Sequence, residues 1–161
     1  MAKKTFENIE LELDFTTSTF TLKKIVAADT TIPDDAIETI EKEGLRVGLR
    51  GCVAAESRTV TCHLLLTSIE FDRTVKFYGN YGEYSSAAFD NFGNQYIPTK
   101  VTIGKGEGTS YLEQRVVADV ATRTTIRFEN LSTQATSLSL LELSFRVDDT
   151  PFSIKFRDIP F

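Results

Sequence analysis

Two cysteines, one histidine and a spread of carboxylates are the residues of this chain equipped for covalent or metal chemistry. A Ser-His-Asp or Cys-His pair needs an imidazole beside a nucleophile. The single histidine, His63, sits next to Cys62 in a strand-like run, so the two point to opposite faces and His63 belongs at the surface. No thiolate or carboxylate stands at ligand spacing from it, so neither a metal nor a cofactor is expected. Sugar hydrolysis would need one buried and one exposed carboxyl group across a cleft, and nothing marks a cleft. Gly104-Lys105-Gly106-Glu107-Gly108 has the look of a phosphate loop but lacks the Lys-Ser/Thr ending and a following helix. It reads as a flexible hairpin tip. The expectation is a protein that is not an enzyme.

Cys52 and Cys62 flank a turn at Ala55-Glu56-Ser57-Arg58, and a hairpin centred on Ser57 sets them directly opposite each other. Their phases conflict. Cys52 alternates with Arg46 and Arg50, whereas Cys62 alternates with Val60, Leu64 and Leu66. A bulge at Gly51 would shift the phase by one and bring both sulfurs to one face. Two readings stand: a cross-strand disulfide, which implies an oxidising compartment, or two buried free thiols acting as small core hydrophobes.

Tyr78, Tyr81 and Tyr84 fall around one glycine-containing loop, and Tyr111 follows the glycine-rich loop. Tyrosines on the loops of a β-protein either pack over its ends or present rings for a sugar or a protein partner. Both readings are carried forward for these four. The stretch 86–98 is a polar corner between apolar runs. Asp90 and Asn91 can accept from nearby amides, Gly93 can take a positive φ, Asn94 tolerates the left-handed region, and Tyr96 closes the corner. Asp90, Asn91 and Asn94 also offer oxygen atoms to a calcium ion, but without the dense carboxylates of a calcium loop. A structural turn is the simpler reading.

The elements that position these residues are mostly strands. The 161 residues suit a single domain with a real core. Twelve phenylalanines and no tryptophan, with abundant Val, Ile and Thr, favour sheet. Ile9, Leu11, Leu13 and Phe15 alternate with Glu10, Glu12 and Asp14, and a second strand covers 20–27. Further strands are expected at 45–54, 59–69, 74–78, 97–103, 114–118, 124–129 and 138–147, with a last one carrying Phe152, Ile154 and Phe156. The phase of the 138–147 run switches at Leu140-Leu141, which calls for a bulge or burial on both sides. One helix is expected, near residues 33–43. Thr30 or Thr31 would cap it, Pro33 would open it, Asp34 and Asp35 would sit in its first turn, and Gly44 would stop it. Its carboxylates form either a solvated face or a dock for a basic partner. Roughly eight to ten short strands with regular turns point to an all-β, antiparallel two-sheet sandwich of immunoglobulin-like architecture.

A net charge of −5 repels phosphate backbones, so nucleic acid is not an expected partner. No run approaches the roughly 20 apolar residues of a membrane helix. The basic start at Lys3 and Lys4 has no apolar stretch behind it, so it is not a signal peptide. Location is extracytoplasmic, periplasmic or secreted, if a leader was removed, and cytoplasmic otherwise. Oligomeric state and strand order are left open.

Taken in order, Gly51-Cys52, Val60-Thr61-Cys62, Asp72-Arg73, Asp90-Asn91-Phe92-Gly93-Asn94-Gln95-Tyr96, Leu140-Leu141-Glu142-Leu143 and Phe156-Arg157-Asp158-Ile159-Pro160 form a pattern. It resembles a family of bacterial, notably cyanobacterial, immunoglobulin-like sandwich modules of unknown function, across roughly residues 45–161. The resemblance implies an exported or signalling context and brings no catalytic residue; the segment 33–43 lies outside it. The expected function is a non-enzymatic interaction or structural module for a protein or envelope partner. The alternative is a carbohydrate-binding module using Tyr78, Tyr81, Tyr84 and Tyr111.

Overall fold

The alternation of apolar and acidic residues near the start of the chain is answered by strands. The structure, a computed structural model, describes the backbone at residues 2–6, 9–13 and 22–27 and all of residues 34–161. The chain forms two compact units, Met1–Thr31 and Ile32–Phe161. In the first unit β1 (Ala2–Phe6), β2 (Ile9–Leu13) and β3 (Leu22–Ala27) form an antiparallel sheet in chain order. Strands at the positions of β2 and β3 are expected from the sequence, and β1 is additional. The expected strand residues 14–15 and 20–21 and the expected helix start at 30–33 lie outside the described residues.

The second unit corrects the expected helix. Asp34 and Asp35 lie in bends, and the acidic run that follows is a strand, β4 (Glu38–Lys42). It pairs antiparallel with β5 (Leu45–Ala55), Lys42 facing Leu45. Glu43 and Gly44 make the two-residue turn, at φ +50° and +72°. Two successive positive φ values define the hairpin turn whose twist matches the strands. Gly44 therefore satisfies a left-handed position, as a helix stop would, but in a different element. A helix of one short turn-rich segment is marginal in water, whereas β4 gains a full ladder and packs Ile40 on the core.

From β5 the chain turns through residues 56–58, with Arg58 at φ +55°, into β6 (Thr59–Ser68). There follow β7 (Arg73–Tyr78), a 3-10 turn (Gly82–Tyr84), β8 (Ala87–Asp90), β9 (Gln95–Tyr96), β10 (Lys100–Ile103), β11 (Gly106–Gly108), β12 (Tyr111–Val116), β13 (Thr122–Phe128), β14 (Ser137–Val147) and β15 (Thr150–Pro160). The corner at 86–98 thus holds two strands around a turn. The glycine-rich tip is a short hairpin rather than a loose loop, with β11 on β10.

These strands build two antiparallel sheets. One has the order β11-β10-β13-β6-β5-β4, the other β12-β7-β14-β8-β9 with β15 on the free side of β14. Inward residues of both sheets, among them Leu49, Cys62, Leu64, Ile126, Phe77, Leu141, Phe145 and Phe156, join one buried core. Phe77 and Phe145 stack with centroids 4.6 Å apart. Phe77, Phe128, Phe145 and Phe156 are fully buried, and each contributes about 2–3 kcal/mol of transfer free energy. The architecture of this unit is a β-sandwich. In β14 the register against β8 shifts between Leu138 and Leu140. That bulge carries the phase switch and keeps Leu138 and Leu141 both inward.

Candidate functional site

A strand that changes partner midway creates the surface on which the tyrosines meet. One edge of β14 is shared: β7 pairs with Ser144–Val147 and β8 with Leu138–Glu142. The chain leaves the sheet after Tyr78 and returns at Ala87. Ser86 closes the gap. Its Oγ donates to the Tyr78 carbonyl at 2.5 Å and accepts from the Ser144 N–H at 3.0 Å, so two backbone groups at the break stay bonded. Gly79 and Asn80 donate to the carbonyls of Ser110 and Thr109 at 2.8 and 3.0 Å. A Cβ on Gly79 would collide with the Thr109 carbonyl oxygen. That close approach of two backbones sets Tyr111 beside the loop.

The result is a contiguous aromatic cluster. Tyr78 points away from the core and is 4% exposed, because Tyr81 and Tyr84 cover it at centroid distances of 5.4 and 5.7 Å. Tyr111 meets Tyr81 edge to face at 5.5 Å. Tyr81, Tyr84 and Tyr111 are 45%, 40% and 44% exposed, so three rings surround a buried fourth. Lys76 lies over the Tyr111 ring, 4.8 Å from its centroid, and 3.2 Å from Glu113. The Glu113 carboxylate holds the lysine above its ordinary pKa, so the cation is permanent near neutrality. Between Tyr81 and Tyr84 lies a shallow cleft lined also by Asn80 and Glu83. The surface thus presents three exposed aromatic rings with hydroxyls, an amide and a carboxylate around them. All four tyrosines singled out in the sequence are together here, Tyr78 as the base. Sequence reasoning missed Lys76, Gly79 and Ser86. Gly79 is visible as a loop glycine, but its partner Thr109 is distant in the chain and invisible without the sheet order.

The corner at Asp90 is built inward. Asp90 is wholly buried. Its Oδ1 accepts from the N–H groups of Phe92 and Asn94, each at 2.9 Å, and its Oδ2 from Asn94 Nδ2 at 2.9 Å and the Tyr96 hydroxyl at 2.8 Å. The Tyr96 oxygen accepts in turn from the Ser132 N–H at 3.0 Å. Gly93 has φ +83°, whereas Asn94 does not adopt the left-handed region and acts as a donor instead. Burial pushes the Asp90 carboxyl up. The hydrogen bonds from the Asn94 side chain, Tyr96, and the Asn94 and Phe92 amides outweigh it and hold the pKa below its usual range. Its oxygens are spent on protein donors, which leaves this corner as a brace between the 91–94 turn and the 132–137 segment. Asn91 adds to that brace by accepting from the Thr136 N–H at 3.0 Å.

Cys52 and Cys62 are a register pair on neighbouring strands, with Cα atoms 4.0 Å apart and sulfurs at disulfide distance. The register shifts between Leu49 and Gly51, so Arg50 is the extra residue, and Gly51 takes φ +137°. Both cysteines therefore reach the core face. His63 lies half-buried on the outer face opposite Gly51. Burial, and then the neighbouring Arg50 cation, push its pKa below the ordinary value. Among the described residues no group of three or more His, Cys, Asp or Glu is arranged to hold a metal ion. No helix among them is long and apolar enough to cross a membrane. Comparison of the chain with protein-family models and with curated proteins finds no match in either.

Proposed function

We propose that this protein is a non-enzymatic interaction module that engages a protein or cell-envelope partner through the surface formed by Tyr81, Tyr84 and Tyr111 over Tyr78. The observation that carries the reading is the exposure of three rings on a braced backbone. Exposed tyrosines clustered on a rigid frame supply large contact area at low cost in side-chain freedom. An exported setting belongs to the same proposal, supported by the Cys52–Cys62 pair at bonding distance. So does the likeness to bacterial immunoglobulin-like modules, supported by two antiparallel sheets sharing one core. The cysteine pair joins adjacent strands of one sheet, unlike the inter-sheet bridge of antibody domains.

A second reading, a carbohydrate-binding surface, is favoured by the cleft between Tyr81 and Tyr84. Its amide from Asn80 and carboxylate from Glu83 suit sugar hydroxyls. The test compares wild type with Tyr81→Ala/Tyr84→Ala on a glycan array and against solubilised envelope proteins of the source cell. Protein binding lost in the double variant, with its melting temperature kept, supports the first reading. Glycan binding lost in the same way supports the second, and binding that survives both changes removes the tyrosine surface from either.

A further inference from the structure

The outer face of the sheet containing β7, β12 and β14 holds a cavity of about 240 Å³, lined by Thr74, Lys76, Glu113, Arg146, Asp148 and Asp149. It shares no lining residue with the cleft between Tyr81 and Tyr84. The strand period puts the lining there. Val75, Phe77, Phe145 and Val147 are buried inward, so Thr74, Lys76 and Arg146, which alternate with them, face outward. Asp148 and Asp149 form the β14–β15 turn, at φ +46° and +66°. The volume lies below the roughly 300–1,000 Å³ of pockets for drug-sized ligands, so the occupant is a small molecule of few heavy atoms.

Two features of this lining are costly to the fold by itself. Lys76 and Arg146 are register partners on neighbouring strands, and like charges directly opposite each other destabilise a sheet. The Arg146 Nε is buried without a hydrogen-bond partner, which is rare for a buried donor. Elsewhere in the cavity the charges cancel: Lys76 pairs with Glu113 at 3.2 Å, and Asp148 with Arg73. Among the described residues Arg146 and Asp149 form no ion pair, with each other or with any other group. One guanidinium and one carboxylate are thus left over on a small, strand-built cavity.

We propose that this cavity binds a free amino acid, its carboxylate on the Arg146 guanidinium and its ammonium on Asp149. The planar guanidinium fork matches a carboxylate with two parallel hydrogen bonds. One leftover cation and one leftover anion select a molecule carrying both charges. They disfavour a simple anion such as phosphate, which meets three carboxylates here. A bound carboxylate also sets negative charge beside the Lys76–Arg146 pair and relieves its repulsion.

The probe is L-alanine, titrated into the isotope-labelled full chain and followed by amide chemical shifts, with acetate, methylammonium and inorganic phosphate in parallel. Saturable shifts are expected to concentrate at residues 74–76 and 146–149, with L-alanine binding about tenfold or more tighter than the three single-charge probes. Arg146→Gln should weaken L-alanine about tenfold or more with the melting temperature kept, since it removes a like-charge opposition. Asp149→Asn, which keeps a residue suited to the left-handed turn position, should weaken L-alanine about tenfold and leave acetate unchanged. Lys105→Gln, on the other sheet, should change nothing. No saturable binding, or acetate or phosphate binding as tightly as L-alanine, overturns the proposal. So does energetic coupling between Arg146→Gln and Asp149→Asn in the stability of the ligand-free chain, because the two groups then pair with each other.

Discussion

A carboxylate buried at position 90 keeps its charge because four donors converge on it, two from the backbone turn it initiates. Replacing it strands those donors in the interior, where each unsatisfied group costs on the order of 1–3 kcal/mol. Asp90→Ala is expected to lower the unfolding free energy by about 3 kcal/mol or more, measured by denaturant titration. Tyr96→Phe, which removes one donor and one acceptor, should cost about 1–2 kcal/mol. The sign of the pH effect follows from a folded-state pKa lying below the ordinary 3.8. The contribution is complete above the unfolded value and disappears as pH falls through the folded one. Wild-type stability should therefore drop more steeply than that of Asp90→Asn as the pH falls below the ordinary carboxylate value of 3.8. The turn itself was legible, since Asp, Asn and Gly in that order favour one. Its depth was not: Tyr96 and Ser132 meet only after β8, β9 and the 130–136 segment are in place.

At the scale of elements, the break between β7 and β8 is bridged by the Ser86 hydroxyl together with the Ser86 N–H, which donates to the Gly79 carbonyl at 3.1 Å. Ser86→Ala leaves the Tyr78 carbonyl and the Ser144 N–H without their partner. The expected loss is about 2 kcal/mol, with the amide of Ser144 exchanging faster with solvent. Gly79→Ala should be worse for the surface than for the core. It forces the loop away from Thr109, so the aromatic ring signals of Tyr81 and Tyr111 should shift while those of Phe77 and Phe145 hold. The acidic segment shows why local signals mislead. Asp34, Asp35 and Gly44 are good helix punctuation, yet the same glycine completes a hairpin, and pairing with β5 decided between them. No property of residues 33–43 taken alone discriminates the two outcomes.

Across the whole unit, the cysteine pair is the one covalent tie open to it among the described residues. Closing so short a loop removes unfolded-state freedom worth about 3 kcal/mol. Intact mass after alkylation without reductant should show both thiols protected, and reduction should lower the melting temperature. Full alkylation of the opened, unreduced chain would remove the argument for export. The bulge that aligns the pair was legible because the two cysteines fall on conflicting phases, a contradiction that one extra residue at Arg50–Gly51 resolves. The sandwich was legible in the same way, from period-two runs ended by turn residues. Hidden from the sequence were the short strands β9 and β11, too brief to show a period, and the sharing of β14 by two partners.

That sharing separates architecture from recognition. Because β7 and β8 are each registered against β14 independently, the side chains at 81–84 lie outside the strand ladders and can be exchanged with the strand register kept. Gly79, Asn80, Ser85 and Ser86 are the stitches, bonded to Ser110, Thr109, Ser144 and Tyr78, and the side chains between them are free to drift. A descendant of this chain could change what it recognises in one step, by replacing those side chains, and inherit the whole of its core unaltered.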